Sequence, residues 1–418
     1  MSMRPLVSVV IPVYNGANYM REAMASALAQ TYTNIEIIVV NDGSTDDTRE
    51  IALSYGDNIR YFEKDNGGVS TALNLAIQQM RGEYFSWLSH DDVYYPEKIQ
   101  KELDALFLDG NMGKVVYSDD DTLVMPSRKL EISPCARAMV MYGKNVVETG
   151  ALAPALGLIS GCSLLIPKSF FDRYGLFDES LRAVQDYKKW FEMFRKKRMI
   201  YVHQSLTQSR VHSNQVTYTY KKKDDEEDEL YSWIVESMSP DDLAGSGVSL
   251  YHFYGTMILK LRNGKFQPAN KIAVDKLLPL DEPADADIQR KQFFNFLHTG
   301  KRSQLYLYCA GRRSRRLILE LNLRGIHIAG ISDSDERASR QNVLGVSGIS
   351  LKDIPKESTV IVTKAKPEDV EEMLKLQGYQ HVISYDDLVG WLLRTPVKKS
   401  LVRKMCEDGT WESLQEKF

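Results

Sequence analysis

Two adjacent carboxylates, Asp91 and Asp92, stand where the apolar run Tyr84-Phe-Ser-Trp-Leu88 gives way to polar residues. Such a pair at the end of a strand offers hard oxygen donors, and Mg2+ or Mn2+ takes donors of this kind while keeping positions open for phosphate oxygens. An isolated Asp-Asp is more often a helix cap, so the pair draws its weight from its surroundings. Two further apolar runs, Val7 to Val13 and Ile35 to Val40, also end in polar groups, Tyr14-Asn15 and Asn41-Asp42. Ligands of open parallel sheets bind beyond the carboxyl ends of strands, which predicts three strand ends around one pocket. Asp42 offers an acceptor for a nucleobase imide or a ribose hydroxyl. Asn66-Gly-Gly68 lets a nucleotide approach bare backbone, although a turn alone also explains its glycines. Asp186 precedes Tyr187, Trp190, Phe191 and Phe194, an i, i+3, i+4, i+7 pattern that places it at a helix N-terminus, where capping is the simplest role.

The elements that carry these residues alternate. Strand-like runs at Val7 to Val13, Ile35 to Val40, Ile59 to Phe62 and Tyr84 to Leu88 are separated by helical patterns at Tyr19 to Leu28, Thr45 to Ser54 and Val69 to Met80. That order predicts an α/β fold on a mostly parallel sheet. Ser44-Thr-Asp-Asp47 reads as the cap of the second helix, and Pro96 opens a helix to about Leu108. A strand at Lys114 to Tyr117 follows, with Asp119-Asp-Asp121 beyond it as solvated turn acids. Pro126 to Gly157 is irregular, the kind of connection that shapes a substrate site. Strand returns at Ser163 to Ile166.

Beyond Gln208, Lys221-Lys-Lys and the acids Asp224 to Glu229 mark a domain edge and read most simply as a solvated helix start. Helices are expected at Tyr231 to Met238, Leu250 to Leu261 and Ile272 to Leu278, then a linker around Asp281 to Asp287. From Ser303 a second alternation begins, with strands at Leu305 to Tyr308, Ile326 to Ile331, Val360 to Thr363 and His381 to Ile383. The domains therefore read as 1–220, a helical connector 221–300, a smaller α/β domain 301–395 and a tail 396–418.

At 418 residues and a formal net charge of −3, the chain has no basic field of the kind nucleic acid requires. Cys135, Cys162, Cys309 and Cys406 lack metal-ligand or CxxC spacing and read as reduced packing residues. Neither an apolar N-terminal signal region nor a long uncharged apolar run is present, so the expectation is a cytoplasmic protein, soluble or peripheral at the inner membrane face.

Four ordered motifs carry a family resemblance. Val9-Val-Ile-Pro-Val-Tyr-Asn15, Asn41-Asp-Gly-Ser-Thr-Asp46, Asn66-Gly-Gly-Val-Ser70 and Leu88-Ser-His-Asp-Asp92 resemble the opening strand, nucleoside turn, Gly-rich helix start and DxD motif of inverting glycosyltransferase family 2. The likeness runs from Pro5 to about Val216 and implies a GT-A fold. It further implies a nucleotide-sugar donor, a UDP-hexose or UDP-N-acetylhexosamine, and a glycan or lipid-linked glycan acceptor in surface glycan synthesis. By the same resemblance Pro12, Val13, Tyr14 and Asp42 contact the nucleoside, Asp91 binds the metal and Asp92 stands beside it. Gln185-Asp186 resembles the Glu-Asp motif, which makes Asp186 the base that deprotonates the acceptor. Arg210-Val-His212 resembles the Arg-x-His element, giving Arg210 to the diphosphate and His212 to the phosphate or the metal. Gly161 resembles the acceptor-side glycine. Ser89 and Gln185 replace two carboxylates of the pattern, which lowers the negative charge at the metal and beside the base. His90 reads as a loop side chain.

Tyr306-Leu-Tyr-Cys-Ala-Gly-Arg-Arg-Ser314 occupies the place of a dinucleotide-binding loop but keeps only the glycine Gly311, with Asp333 in the position of a ribose-binding acid. The region resembles Rossmann-like domains appended to sugar-modifying enzymes and reads as a docking or homo-oligomerisation module. Val397 to Lys404 is basic and partly amphipathic and reads as a solvated helix, with a peripheral membrane contact as the alternative. The competing readings are a non-catalytic nucleotide-sugar or glycan-binding protein, and a nicotinamide oxidoreductase, which the missing glycines oppose.

Overall fold

The computed structural model describes residues 4–132, 139, 142–213, 215–262, 266–298, 304–335, 342–364 and 367–407. Cys135 lies outside them. The chain forms two compact units, Met1–Leu230 with Asp241–Gly247, and Tyr231–Pro240 with Val248–Phe418.

In the first unit the order is β1 (Val7–Val13), α1 (Met20–Leu28), β2 (Ile35–Asp42), α2 (Thr48–Leu53), β3 (Arg60–Lys64), α3 (Val69–Gln79), β4 (Tyr84–Trp87), β5 (Val93–Tyr94), α4 (Lys98–Asp109), β6 (Val116–Val124), β7 (Lys129–Ile132), β8 (Leu164–Pro167), α5 (Gln185–Phe194), β9 (Ile200–Val211) and α6 (Lys223–Ser237). The sheet runs β3-β2-β1-β4-β8-β6-β9-β5, with β7 paired to β6. Strands β3, β2, β1 and β4 are parallel, and β8 turns antiparallel against β4. All seven residues of β1 are buried, as an aliphatic strand covered on both faces must be. This is the mixed α/β sheet that the resemblance implies.

Several expectations change. The second helix starts at Thr48, and Ser44 does not cap it: the Ser44 hydroxyl accepts the Asn15 N–H at 2.9 Å, while Asp46 accepts the N–H of Thr48 at 3.1 Å. Asp119 to Asp121 are not turn acids. They lie inside β6 and bond to groups on and beside β9, Asp119 to Tyr201, Asp120 to Ser209 at 3.0 Å, and Asp121 to Ser205 at 2.8 Å and Tyr95 at 2.7 Å. Available hydroxyl partners outweigh the turn propensity of the acids. The stretch read as irregular contains β7, hairpinned onto β6. As its reading as a helix start predicts, the acidic run forms the first turns of α6, where carboxylates favour the positive end of the helix dipole.

The second unit holds α7 (Leu250–Lys260), α8 (Gln267–Leu277), α9 (Ala286–Leu297), β10 (Leu305–Tyr308), α10 (Arg312–Asn322), β11 (Gly330–Ser332), β12 (Thr359–Val362), α11 (Glu368–Leu376), β13 (His381–Ser384), α12 (Tyr385–Arg394) and α13 (Lys399–Glu407). Its parallel sheet runs β11-β10-β12-β13. Of the helices expected as a connector, those at Leu250 to Leu261 and Ile272 to Leu278 belong to this unit, and α6 passes into it after Leu230. Helices α9 and α12 were not anticipated from the sequence; α12 opens with a capping box, Ser384 accepting from Asp387 N and Asp387 accepting from Ser384 N. Among the described residues no helix is long and apolar enough to cross a membrane.

Candidate active site

Register brings the strand ends together. Val13 of β1 lies opposite Asn41 of β2, and Val10 lies opposite Trp87 of β4, so Tyr14, Asp42 and the Ser89–Asp92 turn emerge at one edge. The turns are bolted to each other: Asn15, in the left-handed region at φ 49°, accepts the Thr45 N–H at 2.8 Å, and Asp46 accepts the Ala17 N–H at 3.0 Å. Asparagine tolerates that conformation better than other side-chain-bearing residues.

Above this edge lies a cavity of about 820 Å³. Every residue singled out from the sequence lines it: Pro12, Val13, Tyr14 and Asp42 on one wall, Asn66 and Gly68 at the start of α3, Asp91 and Asp92 after β4, Gly161, Gln185 and Asp186 on the far side, and Arg210 and His212 at the end of β9. Tyr14 is 48% exposed, a flat ring open to a base.

Asp42 organises the glycine turn. Its carboxylate accepts from Lys64 Nζ at 2.7 Å, Gly67 N at 3.0 Å and Gly68 N at 2.7 Å. Gly68 has φ 92°, a conformation that favours glycine, and a Cβ there would come within 2.3 Å of the Arg182 guanidinium and displace it.

Asp91 and His212 meet: Asp91 Oδ2 lies 3.0 Å from His212 Nε2 and accepts from Gln215 Nε2 at 3.3 Å. A carboxylate and an imidazole side by side fit a hard divalent cation that completes its shell with phosphate and water. Asp92 also lines the cavity but is bonded into the fold. It accepts the Arg210 backbone N–H at 2.8 Å, and burial together with the charge of Asp91 holds its carboxyl well above the usual range. Expected as a second metal ligand, Asp92 has one carboxylate oxygen committed to the backbone of β9. Among the described residues no group of three His, Cys, Asp or Glu forms a metal cluster. Burial of His90 lowers its imidazole pKa and favours the neutral form.

Arg210, expected to fork onto phosphate, is committed within the fold. One terminal nitrogen donates to the Asp91 carbonyl at 2.9 Å, the other bonds Glu22, and the guanidinium lies 5.0 Å over the Tyr19 ring. Arg182, missed in the sequence, lines the cavity against Gly68. Glu226 of α6 accepts the N–H groups of Arg182 and Ala183, the latter at 2.8 Å, and so ties down the loop that leads to Gln185 and Asp186. Its only sequence signal was membership of an acidic run.

Asp186 opens α5 beside the cavity. Burial raises its carboxyl to about 6, although its Oδ1 accepts the Tyr187 N–H at 2.8 Å. Buried polar atoms with no protein partner occur on three residues of this lining, Trp87 Nε1, Gln185 Oε1 and Arg210 Nε. Such atoms are costly unless a ligand or water satisfies them.

The description "Glycosyl transferase family 2" matches residues 8–175. An uncharacterized glycosyltransferase of Rickettsia prowazekii (strain Madrid E) is 43% identical over 270 residues, 65% of this chain and 84% of that protein. Its counterpart in Rickettsia typhi (strain ATCC VR-144 / Wilmington) is 44% identical over 271 residues, with 65% and 84% covered. Among solved structures, S. aureus TarS 1-349 in complex with UDP-GlcNAc is similar at 18% identity and a TM-score of 0.49, over 65% of this chain and 80% of that one.

Proposed function

Because this chain belongs to glycosyltransferase family 2, we propose that it moves a hexose or N-acetylhexosamine from a UDP-sugar to an acceptor hydroxyl, with inversion at the anomeric carbon. The observation that carries this reading is Asp186, a carboxyl raised to about 6 on the wall of the same cavity that holds the Asp91–His212 pair. A base raised toward neutrality keeps proton affinity while remaining mostly ionised at pH 7.

Tyr14 and the Asp42 turn receive the nucleoside, and Arg182 faces the diphosphate as a fixed positive charge. Asp91 and His212 are the residues to hold Mg2+ or Mn2+, which supplies charge neutralisation at the departing diphosphate. Asp186 accepts the proton of the acceptor hydroxyl. The acceptor oxygen bonds to the anomeric carbon as the bond to the diphosphate oxygen breaks on the opposite face, and inversion follows from that single displacement. Gly161 leaves room on the acceptor side: a Cβ there would meet Trp87 at 2.8 Å. The acceptor is proposed to be a surface glycan or its lipid-linked precursor.

The test is nucleoside diphosphate release from a panel of nucleotide sugars with Mg2+, Mn2+ or chelator, read beside thermal stabilisation. Metal-dependent release with one UDP-sugar is expected. Serine at position 89 and glutamine at 185 favour one competing reading, a protein that binds the donor without turning it over; stabilisation without release, acceptors included, would establish that instead.

A further inference from the structure

A second cavity, of about 480 Å³, lies in the first unit where β6 and β9 begin and β8 ends. Because β8 runs antiparallel to β4 and β6, this is the edge opposite the carboxyl ends that carry Tyr14, Asp42 and Asp91. Five of its thirteen lining residues are cationic, Lys114, Arg173, Lys196, Lys197 and Arg198, and none is an acid. In a chain of net charge −3 this concentration is local, and a concave wall of one sign focuses its field on a counter-ion.

Three of the five have carboxylate partners: Lys114 pairs with Asp109 at 2.7 Å, Arg198 with Glu148 at 3.0 Å and Lys196 with Asp241 at 4.0 Å. Arg173 and Lys197 have no ion pair among the described residues; Arg173 lies 5.3 Å over the Tyr174 ring. Phe170 lies 6.0 Å from Tyr174 and 6.2 Å from Phe194, giving the cavity an apolar floor. The helix dipole of α5 accounts for cations just past its last turn. It does not account for Lys114 and Arg173, which arrive from other elements. Lys196 holds a left-handed φ of 61°, an unfavourable conformation for a side-chain-bearing residue, in the turn that presents Lys197 and Arg198 to the cavity.

We propose that this cavity binds the phosphate group of an anionic ligand, a free phosphoester or a lipid headgroup, with Arg173 and Lys197 as its uncommitted cations. The inference is independent of the transfer reaction. The full chain is titrated with inorganic pyrophosphate by calorimetry at low salt, and floated with vesicles of phosphatidylglycerol or phosphatidylcholine. Both assays are repeated with the Arg173→Gln/Lys197→Gln double variant and with an Arg173→Lys/Lys197→Arg control, each checked for an unchanged unfolding midpoint. Loss of two charge-assisted contacts is expected to weaken binding by about 10-fold or more, with the charge-conserving control near wild type. Loss of one equivalent of pyrophosphate in the Gln variant identifies a free phosphoester; loss confined to phosphatidylglycerol vesicles identifies a lipid headgroup. Binding unchanged by the double Gln variant, or absent from both assays, overturns the proposal.

Discussion

The chain contains two parallel-sheet edges where a strand hands over to a helix, and they use the same device to different ends. In the first unit Asp42, at the end of β2, accepts the N–H groups of Gly67 and Gly68. In the second, Asp333, just past β11, accepts the N–H of Ala310 at 2.6 Å and of Asp335 at 3.0 Å. Thereafter they diverge. Around the second turn Ser314 and Thr363 hydroxyls lie 2.6 Å apart and Thr363 donates to the Cys309 carbonyl at 2.7 Å, with the Ser332 hydroxyl the one buried side-chain group near it left without a protein partner among the described residues. Around the first, Asp91, Arg182, Asp186 and His212 arrive from separate elements to line one cavity, and polar atoms of Trp87, Gln185 and Arg210 are left without protein partners. A parallel-strand edge becomes a site when its polar groups are brought in and left for a ligand, and topology alone does not do this.

The largest expected effect concerns Asp186. Asp186→Asn should lower transfer by about 1,000-fold or more, in the range of a lost general base, while donor affinity stays within about twofold. Removing a buried charge also predicts an unfolding midpoint no lower than wild type; ordinary turnover in this variant would falsify the base assignment. In the wild type the same carboxyl, raised to about 6 from 3.8, should give kcat/KM an acidic limb near pH 6, because a raised pKa leaves the base protonated at a pH where an ordinary aspartate is ionised. A limb near pH 4 would mean another group is titrating. Next, Asp91→Ala should reduce kcat/KM by about 100-fold and abolish the difference between metal and chelator. If the metal response persists, the cation lies elsewhere.

Much of this edge was legible because short-range signals coincide there. Aliphatic runs, turn glycines and terminal acids located β1, β2, α3 and β4 close to their observed bounds, and their parallel order placed the strand ends together. What could not be read was the direction in which a side chain points. Asp91 and Asp92 are indistinguishable in sequence and both line the cavity, yet Asp91 meets His212 and Asp92 accepts the Arg210 N–H. Glu226 differs from its acidic neighbours by accepting the N–H groups of Arg182 and Ala183, 44 and 43 residues away. The Asp119 to Asp121 strand was hidden for the same reason: its hydroxyl partners come from distant segments. Local propensity carries no record of such partners.

Two arginines sharpen the contrast between groups left for a ligand and groups used by the fold. Arg182→Gln should raise the donor KM by about 10-fold, the value of one charge-assisted contact, with little change in kcat. Arg210→Gln should instead cost about 1–3 kcal/mol of stability through loss of its bonds to Glu22 and the Asp91 carbonyl, and disturb donor binding less. The reverse ranking would mean that Arg210 leaves Glu22 for the diphosphate when donor binds.

The smallest effect should come from the second unit. Asp333→Asn keeps one acceptor oxygen of the two that hold Ala310 and Asp335, so transfer should stay within about twofold and stability should fall by about 1 kcal/mol. Gly311 adds to the case: a Cβ at that position would meet nothing within 4 Å and its φ is −86°, so neither crowding nor conformation demands a glycine there. A dinucleotide loop needs its glycine for the close approach of a pyrophosphate. NADH fluorescence titration should therefore show no tight binding to the wild type. Tight binding lost in Asp333→Asn would place a working nucleotide site at the second edge as well, and the mutual pairing of Ser314, Thr363 and Cys309 would then have to open on binding.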